Sequence, residues 1–154
     1  MWFRRSRADW TKGKGAGNRR ALRDLVRRGP APGMLAYEGP RAIGWCAFAP
    51  REDYPVLARS RSLKPVDDRP VWSVTCFYVA GDRRRRGLNA RLLEAVAAYA
   101  KKRGATLLEG YPVVPRKDYP PAWAYVGLEP AFAAAGFRVV ARPSRSRAIV
   151  RRSL

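Results

Sequence analysis

The chain has 154 residues, 47% of them hydrophobic and 29% charged, with 32 Lys+Arg against 12 Asp+Glu for a formal net charge of +20. That length and balance exclude a disordered or collagen-like chain and are enough for one domain with a core of its own. No apolar run approaches the ~20 residues of a membrane-spanning helix, and the absence of histidine excludes His-based metal sites, His general bases and Ser-His-Asp triads.

Residues 1–17 read as a basic loop ending in Lys12-Gly13-Lys14-Gly15-Ala16-Gly17. The start, Met1-Trp2-Phe3-Arg4-Arg5-Ser6-Arg7, has no apolar stretch of the secretory kind, so the expected address is the cytoplasm. Asn18 is placed to cap a helix over about 19–28. Leu22, Leu25 and Val26 keep i, i+3, i+4 spacing there, and Gly29-Pro30 stops it. Met34 to Tyr37 and Ala42 to Ala49 predict a hairpin around Glu38-Gly39-Pro40-Arg41. Residues 50–70 are proline-containing and charged, and predict a long surface excursion of the kind that tends to carry function.

Val71 to Val79 is the strongest strand, rich in β-branched and aromatic residues. Being apolar on both faces, it is expected to be central and covered on both sides. A basic turn over 81–86 leads to a helix from Leu88 to Arg103, with Leu88, Leu92, Leu93, Val96 and Tyr99 in one stripe and Gly104 at its end. A strand follows over 106–110, then an irregular stretch over 115–121. A short helix over 128–135 is closed by Gly136. Two terminal strands, 137–141 and 148–152, are joined by a Pro143-Ser144 turn. Strand, helix, strand in the middle predicts a parallel pair, and hairpins on either side predict a mixed sheet of α/β or α+β type. Cys46 and Cys76 form neither a Cys-x-x-Cys pair nor a disulfide framework. As buried thiols they are expected to be inert packing. Trp45, Trp72 and Trp123 are expected in the core or in a cleft wall.

The block Arg83-Arg84-Arg85-Arg86-Gly87-Leu88-Asn89 stands between the strongest strand and the strongest helix. The first turn of a helix offers free N–H groups and the positive end of the helix dipole, and glycine admits close approach of a ligand. Together with arginine side chains these make an anion cradle suited to a pyrophosphate. The charge also fits a nucleic-acid-binding protein that uses the basic N-terminus and the arginine block.

Val79-x-x-x-x-Arg84-Arg85-Arg86-Gly87-Leu88-Asn89 resembles motif A of the GNAT N-acetyltransferases, with Arg84, Gly87 and Asn89 in the motif slots. Ala134-Ala135-Gly136-Phe137 resembles the family's closing Gly-Phe, and the segments around 59–79 and 108–113 are similar to a bacterial subgroup of unknown substrate. The resemblance runs from about Met34 to the C-terminus. It implies a mixed, mostly antiparallel sheet with a splayed central parallel pair, flanked by helices. It implies acetyl-CoA as co-substrate and acetyl transfer to an amine acceptor by direct attack in a ternary complex, with no metal and no membrane. Main-chain groups of Phe77 and Val79 would pair with the pantetheine arm, and Tyr78 between them would belong to the same cofactor-binding stretch. The N–H groups of Arg85, Arg86, Gly87, Leu88, Asn89 and Ala90 would hold the pyrophosphate, and Arg84 or Arg86 would reach a phosphate.

The same resemblance marks three departures. Asn89 replaces Gly or Ala, Ser73 stands where many members carry a glutamate base, and Phe132 stands where many carry a tyrosine acid. Glu109 and the pair Asp67-Asp68 are the remaining candidates for the base, and Tyr111 or Tyr125 for the acid. A silent CoA-binding protein is the corresponding alternative. Residues 1–33 are expected to be a basic N-terminal segment with one helix, within the same domain as a cofactor-binding core over 34–154. The family's usual first strand and helix are not visible in that segment. The resulting sheet edge is a place where self-pairing, and so a homodimer, is expected.

Overall fold

The structure, a computed structural model, describes residues 1–29, 31–115 and 121–154, the side chains of 121–123 excepted. Six strands form: β1 (Gly33–Glu38), β2 (Arg41–Pro50), β3 (Trp72–Val79), β4 (Leu107–Gly110), β5 (Arg138–Ser144) and β6 (Arg147–Ser153). The helices are α1 (Arg7–Lys12), α2 (Ala16–Arg28), α3 (Pro55–Ala58), α4 (Leu88–Lys102) and α5 (Glu129–Ala134). The strands make one sheet in the order β1-β2-β3-β4-β6-β5. Among the named strands of the described residues, β3 and β4 pair in parallel, as the crossover through α4 requires; the other neighbours are antiparallel. This is the mixed, mostly antiparallel sheet that the resemblance implied.

Alternation along the strands divides the apolar residues between the two faces. One face carries Cys46, Phe48, Val74, Phe77, Leu108 and Val150 against Leu92, Leu93, Val96 and Ala97 of α4 and Phe132 of α5. The other carries Ala49, Tyr111, Val113 and Ile149, covered by Phe3, Tyr54, Leu57 and Leu63. The stripe on α4 accounts for its burial, and Lys101 and Lys102 in its last turn complement the negative end of its dipole.

Two features of β3 set up the site. Its register with β2 jumps from Ala47↔Cys76 to Phe48↔Val74, so Thr75 is an extra residue that bulges the strand. Its pairing with β4 stops at Val74↔Gly110, while β3 continues to Val79. The two strands therefore part in mid-sheet. Phe132 fills the floor of the parting: a Cβ on Gly110 would stand 2.2 Å from its ring, and one on Gly127 would stand 2.7 Å from it and 2.9 Å from Phe77.

Several expectations need correction. Residues 1–17 are not a loop: a 3-10 turn at Trp2–Arg4 and helix α1 lie there, capped by the Ser6 hydroxyl that accepts from the Asp9 N–H. Asn18 does not cap α2 but sits inside it, where its Oδ1 accepts from Arg5 and its Nδ2 donates to the Trp10 carbonyl. The apolar start Trp2-Phe3 pulls this segment onto the sheet, a contact that helix periodicity does not register. The excursion over 50–70 is not all surface, because Tyr54, Leu57 and Leu63 are buried. Nor is β3 covered throughout, since Tyr78 is exposed. Pro143 and Ser144 belong to β5, and the chain reverses at 145–146. The irregular stretch expected over 115–121 falls mostly outside the described residues, as do the surroundings of Trp123. Among the described residues β1 pairs with β2 alone.

Candidate active site

The turn after β3 is built by its charges. Arg83 is held by Glu38 and Asp82, and Arg41 holds Asp82 in turn at 2.8 Å. This fixes a 3-10 turn at Gly81–Arg83. Arg85 then adopts φ +59° and Gly87 φ +70°, the left-handed region, and Gly87 becomes the N-cap of α4. A Cβ at Gly87 would meet nothing within 4 Å, so its surroundings are open. Arg91 is the first residue of α4 whose N–H reaches back to the turn, donating to the Gly87 carbonyl at 3.3 Å. Among the described residues, the N–H groups of Arg85, Arg86, Gly87, Leu88, Asn89 and Ala90 donate to no protein acceptor. Six backbone donors and the positive end of a 15-residue helix thus share one exposed turn, an arrangement able to hold an anion. The Asn89 Oδ1 is buried beside them without a hydrogen-bond partner among the described residues.

The free edge of β3 continues this site. Ala80 donates to the Ile43 carbonyl at 2.9 Å, so main-chain alternation directs Tyr78 toward β2 and directs Phe77 and Val79 toward the parting. Phe77 and Val79, the two residues expected to offer main-chain groups to a ligand, therefore turn them to the parting, and Tyr78 turns its own to β2. Arg84 is folded back, its Nε donating to the Val79 carbonyl at 3.3 Å. Arg85 and Arg86 point outward and exposed.

Below the parting, on the face opposite α4, lies a buried polar row. Register places Ser73, Glu109 and Arg151 side by side on β3, β4 and β6. The Tyr111 hydroxyl donates to Glu109 Oε1 at 2.7 Å and lies 2.7 Å from the Ser73 hydroxyl. Arg51 reaches in from the end of β2, its Nη1 donating to Glu109 Oε1 at 2.7 Å and to the Tyr111 hydroxyl at 2.6 Å, and its Nη2 donating to the Leu63 carbonyl. Arg151 Nε donates to Glu109 Oε2 at 2.7 Å, and its Nη1 donates to Asp67 Oδ2 at 2.7 Å. Ser73, Glu109 and Tyr111 have no exposure. Burial and the adjacent Glu109 charge push the Tyr111 phenol far above its ordinary value. Hydrogen bonds from Arg151 and Arg69 hold the Asp67 carboxyl well below the usual carboxylate range.

This row changes the reading of Glu109. A carboxylate with both oxygens committed to guanidinium groups and no exposed surface is not placed to take a proton from an incoming acceptor. Its geometry is that of the central anion of a Arg51–Glu109–Arg151–Asp67 chain. Tyr111 is locked in the same row. Tyr125 stands elsewhere, half-exposed on a 3-10 segment, Pro121–Val126, that packs against β3. It shares the wall of a cavity of about 190 Å³ with Thr75 and Cys76 of the bulge. Phe132 is core, edge-on to Phe77 at 5.8 Å and to Phe137 at 5.1 Å. Cys46 and Cys76 are free thiols, both pushed up by burial. Trp72 stacks on Phe48, and Trp45 lines the cavity. The sequence reading missed Arg51 and Arg151. The available signal was a charge inside an apolar terminal strand, Ala148-Ile149-Val150-Arg151, since arginine is buried only when paired.

Comparison with known proteins agrees with this geometry. The fold matches a GNAT-family acetyltransferase structure from Desulfovibrio desulfuricans at 21% identity and TM-score 0.57, over 93% of this chain and 87% of that one. It also matches yncA of Salmonella typhimurium, solved with its cofactor acetyl-CoA, at 16% identity and TM-score 0.59, over 91% of this chain and 74% of that one. A ribosomal-protein-alanine N-acetyltransferase from Brucella melitensis matches at 16% identity and TM-score 0.58, over 89% and 77%. No curated protein matches in sequence. The sequence model of the acetyltransferase (GNAT) family matches residues 1–115. A turn of unpartnered amides where a parallel strand pair opens, in a chain that this model matches over most of its length, places the protein in the acetyltransferase (GNAT) family.

Proposed function

We propose that the chain binds acetyl-CoA with its pyrophosphate on the turn at 85–90 and passes the acetyl group to an amine by direct attack in a ternary complex. The observation that carries this reading is the set of six N–H groups from Arg85 to Ala90 that lack an acceptor among the described residues. The residues fit the group: the donors share one turn, the dipole has the right sign, and Gly87 leaves the approach open. Phe77 and Val79 offer main-chain groups along the parting, where the amide-bearing arm of the cofactor would lie. Arg84 would leave the Val79 carbonyl to the arm and turn its guanidinium to a phosphate, where a charge-assisted bond is stronger than the one it gives up. Bound there, acetyl-CoA supplies an activated thioester.

The protein's part is to hold thioester and amine together, which alone is worth several kcal/mol of barrier. Tyr125 is the proposed donor to the departing thiolate. Glu109 holds the floor of the site through the arginine row rather than acting as base. Calorimetry with acetyl-CoA and with desulfo-CoA, followed by CoA release against an amine panel, tests the reading. Micromolar binding of both cofactors with amine-dependent CoA release is expected, and no binding of either refutes it.

Ser73 and Phe132, at positions where many family members carry acid–base residues, favour a second reading as a CoA-binding protein without turnover. Binding without release to any amine would establish it. For nucleic acid the arginine block offers less than its sequence suggests, because Arg83 is spent on Glu38 and Asp82.

A further inference from the structure

The cavity beside the bulge has a composition that selects an acceptor. Its wall is aromatic, with Trp2, Phe3, Trp10, Trp45, Tyr54 and Tyr125. No Asp or Glu is among its described lining residues, and the chain has no histidine. Among the described lining residues the charged side chain is Arg4, which lies over the Tyr54 ring at 4.6 Å, and whose partner Asp53 stands 3.6 Å away outside the lining. One face of the Tyr54 ring is therefore already covered by a cation. Burial pushes the Tyr54 phenol up to about 12 and the Cys76 thiol above its ordinary value, so neither stands in the wall as an anion that would pair with a cation. At about 190 Å³ the cavity is smaller than the ~300–1,000 Å³ of a drug-sized ligand site, which suits a body of one ring.

An alkylammonium entering here would lose its hydration, meet Arg4 and find no carboxylate among the described lining residues to pair with or to take its proton. An amine that is neutral at pH 7 and carries an aromatic ring meets none of these penalties. Resting on the acetyl-CoA reading above, we propose that this cavity is the acceptor subsite and that it selects small arylamines over alkylamines and polyamines. The nitrogen lone pair attacks the thioester carbonyl, an N–C bond forms and the C–S bond breaks. The nitrogen gives up one proton and the departing sulfur gains one, so that arylamine and acetyl-CoA yield N-acetylarylamine and CoA. No base of raised pKa is needed, because the amine arrives unprotonated.

The test uses the full chain at pH 7 with saturating acetyl-CoA, scoring both thiol release and acetylated product for 4-methylaniline, 4-methylbenzylamine and spermidine. The expected result is a kcat/KM for 4-methylaniline at least tenfold above that for 4-methylbenzylamine, with spermidine at background. Preference for either alkylamine overturns the proposal, and so does the absence of 4-methylaniline product from a protein that binds acetyl-CoA in calorimetry on the same sample. Failure to bind acetyl-CoA would instead remove the reading on which the proposal rests. Leu22, on the cavity rim and half-buried, gives the complementary variant. Leu22→Glu supplies the missing carboxylate and is expected to move the ratio toward 4-methylbenzylamine by fivefold or more; an unchanged ratio in the folded variant counts against the cavity as the subsite.

Discussion

Glu109→Gln separates a catalytic base from a structural anion. In the native row the guanidinium groups of Arg51 and Arg151 face the carboxylates of Glu109 and Asp67, and Arg69 pairs with Asp67 at the exposed end. Gln keeps the shape but removes one negative charge from a site where Glu109 is fully buried and Arg151 is 4% exposed. Its amide must also aim N–H groups at the guanidinium donors on one side. Breaking a buried pair by removing one partner costs about 3–5 kcal/mol, a large share of the roughly 5–15 kcal/mol that holds a domain together. For a chain of this length that corresponds to a fall in Tm on the order of 10 °C. Urea denaturation and thermal melting measure the loss. Acetyl transfer per folded molecule, assayed well below the melting range, measures the chemistry. The expected outcome is a large loss of stability with turnover within about threefold of the parent protein. A stability change below 1 kcal/mol together with a fall in turnover of about 10²-fold or more, the usual worth of a general base, would refute the structural assignment and restore Glu109 as the base.

Further outcomes follow from the turn and the row. Gly87→Ala puts a Cβ at φ +70° where no atom stands within 4 Å, so its cost to the free chain is backbone strain alone, about 1–2 kcal/mol. Acetyl-CoA affinity should fall at least tenfold in calorimetry, because the Cβ occupies the anion's approach. Asn89→Ala removes a buried oxygen without a partner among the described residues and should raise the stability of the free chain by about 1 kcal/mol in urea denaturation. Asp67 has a folded pKa held below its unfolded value by Arg151 and Arg69. Its contribution is therefore fully present above the unfolded value of about 3.9 and is lost as the pH falls from there through the folded value. Asp67→Asn should remove that part of the acid dependence in pH-resolved melting, leaving a shallower decline below about pH 4.

Much of the fold was legible because the signals were local. Val71 to Val79 and the stripe on α4 read directly as strand and helix, with Arg84 to Gly87 as the turn that joins them. The structure adds what local signals do not carry. Whether Phe77, Tyr78 or Val79 offers its main chain depends on the register with β2 and the bulge at Thr75, which are long-range properties. Glu109 reads from sequence as a candidate base, because its partners Arg51 and Arg151, and the Asp67 that pairs with Arg151, come from three distant segments. The N-terminal helix α1 was read as loop since Gly and Lys dominate its neighbourhood, while Trp2, Phe3 and Trp10 supply the tertiary contacts that order it. The aromatic cavity is composed in the same way, from residues scattered between Trp2 and Tyr125.

Amide-resolved NMR during titration with coenzyme A examines the turn itself. The N–H resonances of Arg85, Arg86, Gly87, Leu88, Asn89 and Ala90 should shift together and exchange more slowly with solvent, with Phe77 and Val79 following as the cofactor's arm settles along β3. Saturation of the protein with coenzyme A while those six amides stay unmoved would contradict the assignment of this turn as the site that grips the cofactor.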